Sequence, residues 1–250
     1  PTERYASAPE IFEYCQLLGL TFNLYDHALF QTIINGAVWD DSANRWNITT
    51  SRGDKISSKY IVIAGGILHK PKVPGIPGIE NFKGRMLHTS RWDYDYTGGG
   101  PREFMDKLGD KRVGIIGTGA TAIQAVPKLA EAAGDLFVFQ RTPSAVGVRN
   151  NGKTDEKWFK SLKPGWQQER IVNFTKAVTG EMPEVDLVGD GWTDVMWRNT
   201  QATVESPEHL AEMELSDFKT MEKLRRRVDT IVEDPETAAK LKAYYGKNCK

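Results

Sequence analysis

The pattern of apolar and polar residues between positions 31 and 66 predicts a β-meander of three strands. β-Branched and aromatic residues are concentrated in the stretches "QTIINGAVWD", "RWNITTS" and "KISSKYIVIAGG", with turn-forming residues at 40–44 and 52–54 between them. Runs of this kind between turn residues are typical of strands. The last run is continuously apolar over residues 60–64, which predicts a strand buried on both faces.

A helix is predicted before the meander. Ser7 and Glu10 have the spacing of a capping box, and Pro9 stands in the first turn. These signals place the helix over residues 8–18, with Gly19 ending it.

Further helices are predicted towards the end of the chain. Start signals occur at Ser206 with Pro207 and at Asp234 with Pro235, and Gly246 is a stop signal. Apolar residues at helical spacing form one face, namely Phe218, Met221, Leu224, Val228 and Ile231. The basic run 225–227 is expected to face solvent. The tryptophans of this region, which are Trp158, Trp166, Trp192 and Trp197, are expected in the core.

A strand, a glycine-rich turn and a helix are predicted in the middle of the chain. The apolar stretch "KRVGII" at 111–116 runs directly into "GTGATA", and a second apolar stretch follows at 136–139. The intervening residues have helical periodicity, with an inner face formed by Ile123, Val126, Leu129 and Ala130. Pro127 falls inside this helix, where a kink is expected.

The glycine-rich turn matches GxGxxA, a pattern typical of dinucleotide-binding folds. Gly117 allows the tight turn, Gly119 leaves room for a pyrophosphate, and Ala122 lets helix and strand pack closely. The free N–H groups at the helix N-terminus bind the phosphates. The sequence therefore predicts a dinucleotide site.

Arg141 and Thr142 follow the second strand, where an NAD-binding site usually has a carboxylate. A carboxylate accepts hydrogen bonds from the ribose hydroxyls and repels a 2'-phosphate. A guanidinium instead forms charge-assisted hydrogen bonds with that phosphate, and a threonine hydroxyl can add another. The predicted cofactor is therefore NADP(H).

Composition excludes several other classes of partner. Thirty-three basic residues balance thirty-three acidic ones, so no strong overall field attracts the chain to nucleic acid or to an anionic membrane. No apolar run approaches the roughly 18 residues of a membrane span, and a cytoplasmic location is expected. Cys15 and Cys249 lack metal-knuckle spacing, so no metal site is predicted. The chain begins at Pro1 and is expected to be a piece of a longer protein.

The segment before the first nucleotide-binding strand carries Phe82, Gly84, His88, Trp92 and Asp93 at the spacing FxGxxxHxxxWD. This pattern resembles the fingerprint of the Baeyer-Villiger monooxygenases, a family of FAD- and NADPH-dependent enzymes. Related flavin monooxygenases that oxidise nitrogen or sulfur usually carry an aromatic and a basic residue in place of Trp92 and Asp93.

The resemblance implies an α/β fold: a Rossmann-like NADP-binding domain with a helical insert, plus part of a second, FAD-binding domain that includes the β-meander. The implied boundaries are 1–65 for the end of the first FAD segment, 66–109 for the fingerprint linker, 110–148 for the NADP-binding unit, 149–246 for the helical insert and 247–250 for the return to the NADP domain. The family's first FAD-binding GxGxxG is not found in this chain, so the isolated chain is expected neither to retain FAD nor to oxygenate ketones.

The implied reaction inserts one oxygen atom of O2 next to a ketone carbonyl through a C4a-peroxyflavin and gives an ester or lactone. By resemblance, His88 and Trp92 couple the linker's movement to cofactor binding, and the implied catalytic residues are His88, Trp92 and Asp93. The implied NADP contacts are Gly117, Thr118, Gly119, Ala120, Thr121, Ala122, Gln124, Arg141, Thr142 and Lys250. The implied FAD contacts are Ala64, Gly65 and Gly66, where Gly65 replaces the family's threonine.

Two alternatives remain. An oxygenase acting on nitrogen or sulfur is disfavoured by Trp92 and Asp93. A non-catalytic NADPH-binding module would be favoured if the gene began near Pro1 and ended near Lys250.

Overall fold

The computed structural model describes residues 1–66, 68, 70–179, 181, 183–190, 193 and 207–246, without the side chains of 208–210 and 213. The predictions made for Trp192, Trp197, Ser206 and Lys250 lie outside the described residues. The chain forms two compact units, one of residues 7–93 and the other of residues 1–6 together with 94–250. The division at residues 65, 109, 148 and 246 stays a prediction.

The unit of residues 7–93 begins with helix α1 (Ala8–Thr21), which passes through Gly19 instead of ending there. A Cβ at Gly19 would lie 2.7 Å from the ring of Tyr25, so this glycine makes room for the tyrosine. Ser7 is the N-cap residue, but its side chain makes no capping hydrogen bond. The short 3-10 helices Tyr25–His27 and Ile79–Asn81 also belong to this unit.

The predicted meander is confirmed. Strands β1 (Ile34–Asp40), β2 (Arg45–Thr50) and β3 (Lys55–Ser58) form one antiparallel sheet in that order. Trp39 and Trp46 are directly opposite each other, with ring centroids 5.5 Å apart.

The turn between β1 and β2 is held by the carboxylate of Asp40. It accepts hydrogen bonds from the hydroxyl of Ser42 at 2.6 Å and from the backbone N–H of Ala43 at 3.1 Å. These bonds lower the pKa of Asp40.

The prediction of a buried strand over residues 60–64 is wrong. The third strand ends at Ser58, and the side chains of Tyr60, Val62 and Ile63 are 82–90% exposed. Apolar sequence favours burial, but burial requires neighbouring strands. Among the residues that the structure describes, none pairs with this segment.

The second unit contains the predicted strand–helix–strand motif. After the short helix α2 (Tyr94–Thr97), strand β4 (Arg112–Ile116) leads to helix α3 (Ala120–Ala132) and to strand β5 (Asp135–Phe139). The two strands are parallel and in register from Arg112 opposite Asp135 to Ile116 opposite Phe139.

Helix α3 buries a narrower stripe than predicted. Ala122, Leu129 and Ala132 are buried, whereas Ile123 and Ala130 are exposed. The described sheet beside it has two strands, so it covers only part of the apolar face. The helix continues through Pro127, and the kink expected there stays a prediction.

The helical part comprises α4 (Glu156–Ser161), α5 (Trp166–Thr179), α6 (Pro207–Ile231) and α7 (Pro235–Leu241). Trp158 is exposed and Trp166 is half-buried, and the two rings pack edge to face with centroids 6.3 Å apart. They form a shallow cluster and not a deep core.

Helix α6 differs from its predicted pattern. Met221 is 2% exposed, and Leu224 and Val228 are half-buried, but Phe218 and Ile231 at the two ends of the face are exposed. The expectation that the basic run faces solvent is wrong for Arg225, whose side chain is 11% exposed.

Helix α7 begins as predicted but ends earlier. The carboxylate of Asp234 accepts a hydrogen bond of 2.7 Å from the backbone N–H of Thr237, which caps the helix. A hydrogen bond with the side chain of Thr237 and this backbone bond lower the pKa of Asp234. The helix ends at Leu241 and not at Gly246. The chain leaves it in extended form, and Ala243 is buried.

The first six residues pack on the helical part of their unit, which the sequence did not predict. Glu3 and Lys153 form an antiparallel bridge. The hydroxyl of Tyr5 donates a hydrogen bond of 2.7 Å to Asp190. Desolvation and this hydrogen bond raise the pKa of Tyr5.

In the described part of the chain, no helix has the length and apolar character needed to cross a bilayer.

Candidate functional site

The glycine turn between β4 and α3 has the geometry that a dinucleotide site needs. Gly117 has φ 104°, in the left-handed region that glycine adopts without strain. Its N–H donates a hydrogen bond of 2.9 Å to the carbonyl of Phe139, so the turn starts from the end of the parallel sheet. A Cβ at Gly117 or Gly119 would meet no atom within 4 Å. The backbone at this turn therefore borders open space.

Helix α3 presents its N-terminus to that space. Gly119 is the N-cap residue in extended conformation, and no side chain caps it. The first N–H groups of a helix have no partners within it, so those of residues 120–122 are donors available to an anion. Gln124 turns back on its own helix, with its amide 3.0 Å from the carbonyl of Ala120.

Strand β5 is followed by Gln140 and then by Arg141 and Thr142. Arg141 is exposed, and none of the described residues forms a hydrogen bond or ion pair with its guanidinium. Thr142 is half-buried. A charged, unengaged guanidinium at this point can take a phosphate group.

The glycine turn and the Arg141 loop are joined by side chains whose contact the sequence did not predict. The hydroxyl of Thr118 donates a hydrogen bond of 3.2 Å to the carbonyl of Thr142. The hydroxyl of Ser144 donates to the carbonyl of Thr118 and lies 3.3 Å from the Thr118 hydroxyl. No sequence signal identifies Ser144, because hydroxyl residues are common in loops and this contact spans 26 residues.

The residues present fit a dinucleotide with a 2'-phosphate. The open turn and the helix N-terminus suit a pyrophosphate, and the exposed guanidinium of Arg141 is chemically able to bind a second anion. Lys250 was predicted to approach the same phosphate and lies outside the described residues.

In the unit of residues 7–93, the fingerprint segment begins with a contact between Phe82 and Gly84. A Cβ at Gly84 would lie 2.5 Å from the ring of Phe82. Any side chain at position 84 would displace that ring. This contact explains the FxG spacing in physical terms.

His88 lies at a tight turn. The backbone N–H of Arg91 donates to the carbonyl of His88 at 2.7 Å. Nδ1 of the half-buried imidazole lies 3.2 Å from the backbone N–H of Ser90 and 2.9 Å from its hydroxyl. Because a backbone N–H can only donate, Nδ1 accepts, and the neutral ring carries its proton on Nε2.

The two ends of this turn are tied by an ion pair that the sequence did not predict. Arg85 binds the carboxylate of Asp93 through Nη2. The Asp93 side chain is 22% exposed, and Trp92 is half-buried. Arg85 occupies a variable position of the pattern, so spacing alone could not identify it. Together with His88, these residues form one closed turn, which we call the fingerprint turn (85–93).

The predicted flavin contacts border open space in the same unit. Gly65 and Gly66 are exposed, and a Cβ at either would meet no atom within 4 Å. Gly66 has φ 68°, again in the left-handed region. Ala64 is exposed as well. The segment can therefore approach a flat ring closely, although its ligand stays a prediction.

This chain is similar to known monooxygenases in sequence and in structure. Residues 3–156 match the family described as flavin-binding monooxygenase-like. A Baeyer-Villiger monooxygenase of Stachybotrys chlorohalonatus is 51% identical over 257 aligned residues, which cover 100% of this chain and 41% of that protein.

Solved structures show the same likeness. The polycyclic ketone monooxygenase of Thermothelomyces thermophila superposes with a TM-score of 0.89 at 41% identity, over 100% of this chain and 43% of its own. The cyclohexanone monooxygenase of a Rhodococcus species bound to NADP+ gives 0.73 at 26% identity, over 99% and 47% of the two chains.

The predicted α/β fold is confirmed by these superpositions. The chain spans less than half the length of the proteins it matches. Its match to the family nevertheless covers more than half of its own residues. The chain therefore belongs to the flavin-binding monooxygenase-like family, and the resemblance to the Baeyer-Villiger monooxygenases inferred from the fingerprint is confirmed.

Proposed function

We propose that this chain is part of an NADPH- and FAD-dependent Baeyer-Villiger monooxygenase. The fingerprint turn carries the proposal: its Trp92 and Asp93 distinguish ketone oxygenases from relatives that act on nitrogen or sulfur, and Arg85 holds Asp93 in place. A ketone, O2, NADPH and a proton give an ester or lactone, NADP+ and water. One oxygen atom of O2 enters the product, and the other leaves as water.

The protein's own residues hold and orient the cofactors. The N–H groups at the start of α3 bind the pyrophosphate of NADP(H), while Arg141 and Thr142 take its 2'-phosphate. Residues 64–66 approach the flavin. The chemistry that FAD supplies when bound is the activation of O2, and the protein contributes position and charge.

His88, in the fingerprint turn, is proposed to donate a hydrogen bond through its Nε2–H group. Ser90 occupies Nδ1, so the Nε2–H group is left to donate to a partner outside the turn. The proposed partners of the whole enzyme are a small-molecule ketone and O2. The cytoplasmic location remains a prediction.

The test uses the complete enzyme, purified with FAD. NADPH oxidation is followed with a panel of ketones, amines and sulfides under 18O2, and products are identified by mass spectrometry. The expected result is ketone-dependent NADPH oxidation with one labelled oxygen atom in an ester or lactone. Labelled N-oxides or sulfoxides without esters would assign the enzyme to the other branch, and NADPH binding without oxidation would favour a binding module.

A further inference from the structure

The chain after α7 is fixed to helix α6 at two points. Lys242 forms an ion pair of 2.5 Å with Asp229, and Arg225 donates a hydrogen bond of 2.7 Å to the carbonyl of Ala243. Ala243 is 4% exposed. The segment of residues 242–245 therefore has a defined place on the long helix.

From that place, Tyr245 reaches the loop that carries the phosphate-binding arginine. Its hydroxyl donates a hydrogen bond of 2.5 Å to the carbonyl of Pro143, which is 102 residues away in sequence. The tyrosine is half-buried, so the bond is partly shielded from water. Tyr245 thus fixes the loop two residues after Arg141.

A second contact fixes the loop on its other side. The side-chain amide of Gln140 donates a hydrogen bond of 2.9 Å to the carbonyl of Lys240, in the last turn of α7. The last carbonyls of a helix have no partners within it, so this bond also satisfies the helix end. Arg141 and Thr142 lie between the two anchored residues.

These anchors matter because Arg141 is not held by its own side chain. Since none of the described residues binds its guanidinium, the anchored backbone at residues 140–143 sets the region that the flexible side chain can reach. A group that is held in its binding position before the ligand arrives costs less entropy on binding. The advantage applies to the phosphate that Arg141 contacts and not to the rest of the nucleotide.

We propose that Tyr245 and Gln140 are positioning residues through which the helical part of the chain sets the preference for 2'-phosphorylated nucleotides. The proposal deepens the proposed function, because it rests on the assignment of Arg141 to the 2'-phosphate. Neither residue belongs to the GxGxxA pattern or to the fingerprint.

The test compares Tyr245→Phe with Tyr244→Phe in the complete enzyme, purified with FAD. Both substitutions remove one hydroxyl, but Tyr244 is 74% exposed and contacts Arg225 through its ring, which phenylalanine keeps. Calorimetric titrations use adenosine 2',5'-bisphosphate and adenosine 5'-monophosphate. We expect Tyr245→Phe to lower the affinity for the bisphosphate by about three- to tenfold, which is the range for the loss of one neutral hydrogen bond. The affinity for the monophosphate should not change. Tyr244→Phe should change neither affinity.

The same titrations in an Arg141→Ala background show whether Tyr245 acts through Arg141. There, Tyr245→Phe should have no further effect on the bisphosphate. The proposal would be overturned if Tyr245→Phe lowered the affinities for both nucleotides equally. It would also be overturned if Tyr245→Phe lowered the affinity for the bisphosphate as much in the Arg141→Ala background as in the original protein. Gln140→Met, which keeps the side-chain length but removes the amide, tests the other anchor with the same expectation and serves if Tyr245→Phe fails to fold.

The controls separate this inference from the function on which it rests. If Arg141→Ala weakens the binding of both nucleotides equally, the assignment of Arg141 to the 2'-phosphate fails, and the inference fails with it. If Arg141→Ala is selective for the bisphosphate while Tyr245→Phe and Gln140→Met are without effect, the inference alone is wrong.

Discussion

The hydroxyl of Thr118 donates a hydrogen bond of 3.2 Å to the carbonyl of Thr142, twenty-four residues further along the chain. Thr118 stands between the two glycines of the turn proposed to bind the pyrophosphate, and Thr142 follows the arginine proposed for the 2'-phosphate. One side chain thus connects the two segments that are proposed to bind anions. Ser144 strengthens the connection by donating to the carbonyl of Thr118.

Removal of the Thr118 hydroxyl is expected to destabilise the chain. Thr118→Val keeps the shape but leaves the half-buried carbonyl of Thr142 without this donor, which should cost about 0.5–1.5 kcal/mol in free energy of unfolding. Urea denaturation measures the loss. Thr118→Ser keeps the hydroxyl and is the matched control. Equal stability of the valine and threonine proteins would show that the bond contributes nothing.

Arg141→Ala is expected to weaken NADPH binding without affecting NADH. The substitution removes a charge-assisted contact of about 1.5–3 kcal/mol, or roughly 10- to 150-fold in affinity. NADH has a free 2'-hydroxyl and gains little from the guanidinium. Added salt should weaken the original NADPH complex more than the NADH complex, because salt screens the exposed charge pair. Equal losses for both cofactors would mean that Arg141 supports the fold.

Local sequence signals predicted the strand–turn–helix–strand motif because its parts are adjacent in the chain. Two apolar strands, GxGxxA and a helical repeat follow one another between residues 111 and 139, and the structure contains them within a few residues of the expected limits. The meander was predictable for the same reason. Both rest on periodicity and turn residues, which act over short distances.

The contacts that position the site were not predictable in this way. Tyr245 and Pro143 are 102 residues apart, and no periodicity relates them. Hydrophobicity also misled at residues 60–64, because it reports a tendency to be buried and not the presence of a covering strand. The expectation that the basic run on α6 faces solvent was wrong for Arg225 for a similar reason. Its charge alone does not reveal that it binds the carboxylate of Glu222 and the carbonyl of Ala243.

Acid is expected to destabilise the chain in part through Asp234. Its pKa is lowered in the folded state by hydrogen bonds from Thr237. The carboxylate therefore stabilises the fold above its unfolded pKa of about 3.9, and this contribution is lost as pH falls through the lower folded pKa. Urea unfolding of the chain and of Asp234→Asn, at several values between about pH 7 and pH 3, isolates the effect.

Asn at position 234 can still cap the helix but cannot titrate in this range. The difference in free energy of unfolding between the two proteins should stay constant near neutral pH. In acid, the original chain should lose more stability than Asp234→Asn. Parallel curves over the whole range would show that the cap does not depend on the charge of Asp234.

His88→Ala in the complete enzyme is expected to lower ketone-dependent NADPH oxidation by about tenfold or more, since small losses of positioning have effects of this size. The melting temperature should move by no more than about 2 °C, because half-exposed turn residues carry little core stability. His88→Gln is the matched control: its amide can donate from near the position of Nε2, so it should recover part of the rate. If alanine and glutamine lower the rate equally, Nε2–H donation is not the role of His88. If alanine leaves the rate unchanged, the imidazole serves only to close the fingerprint turn with Ser90.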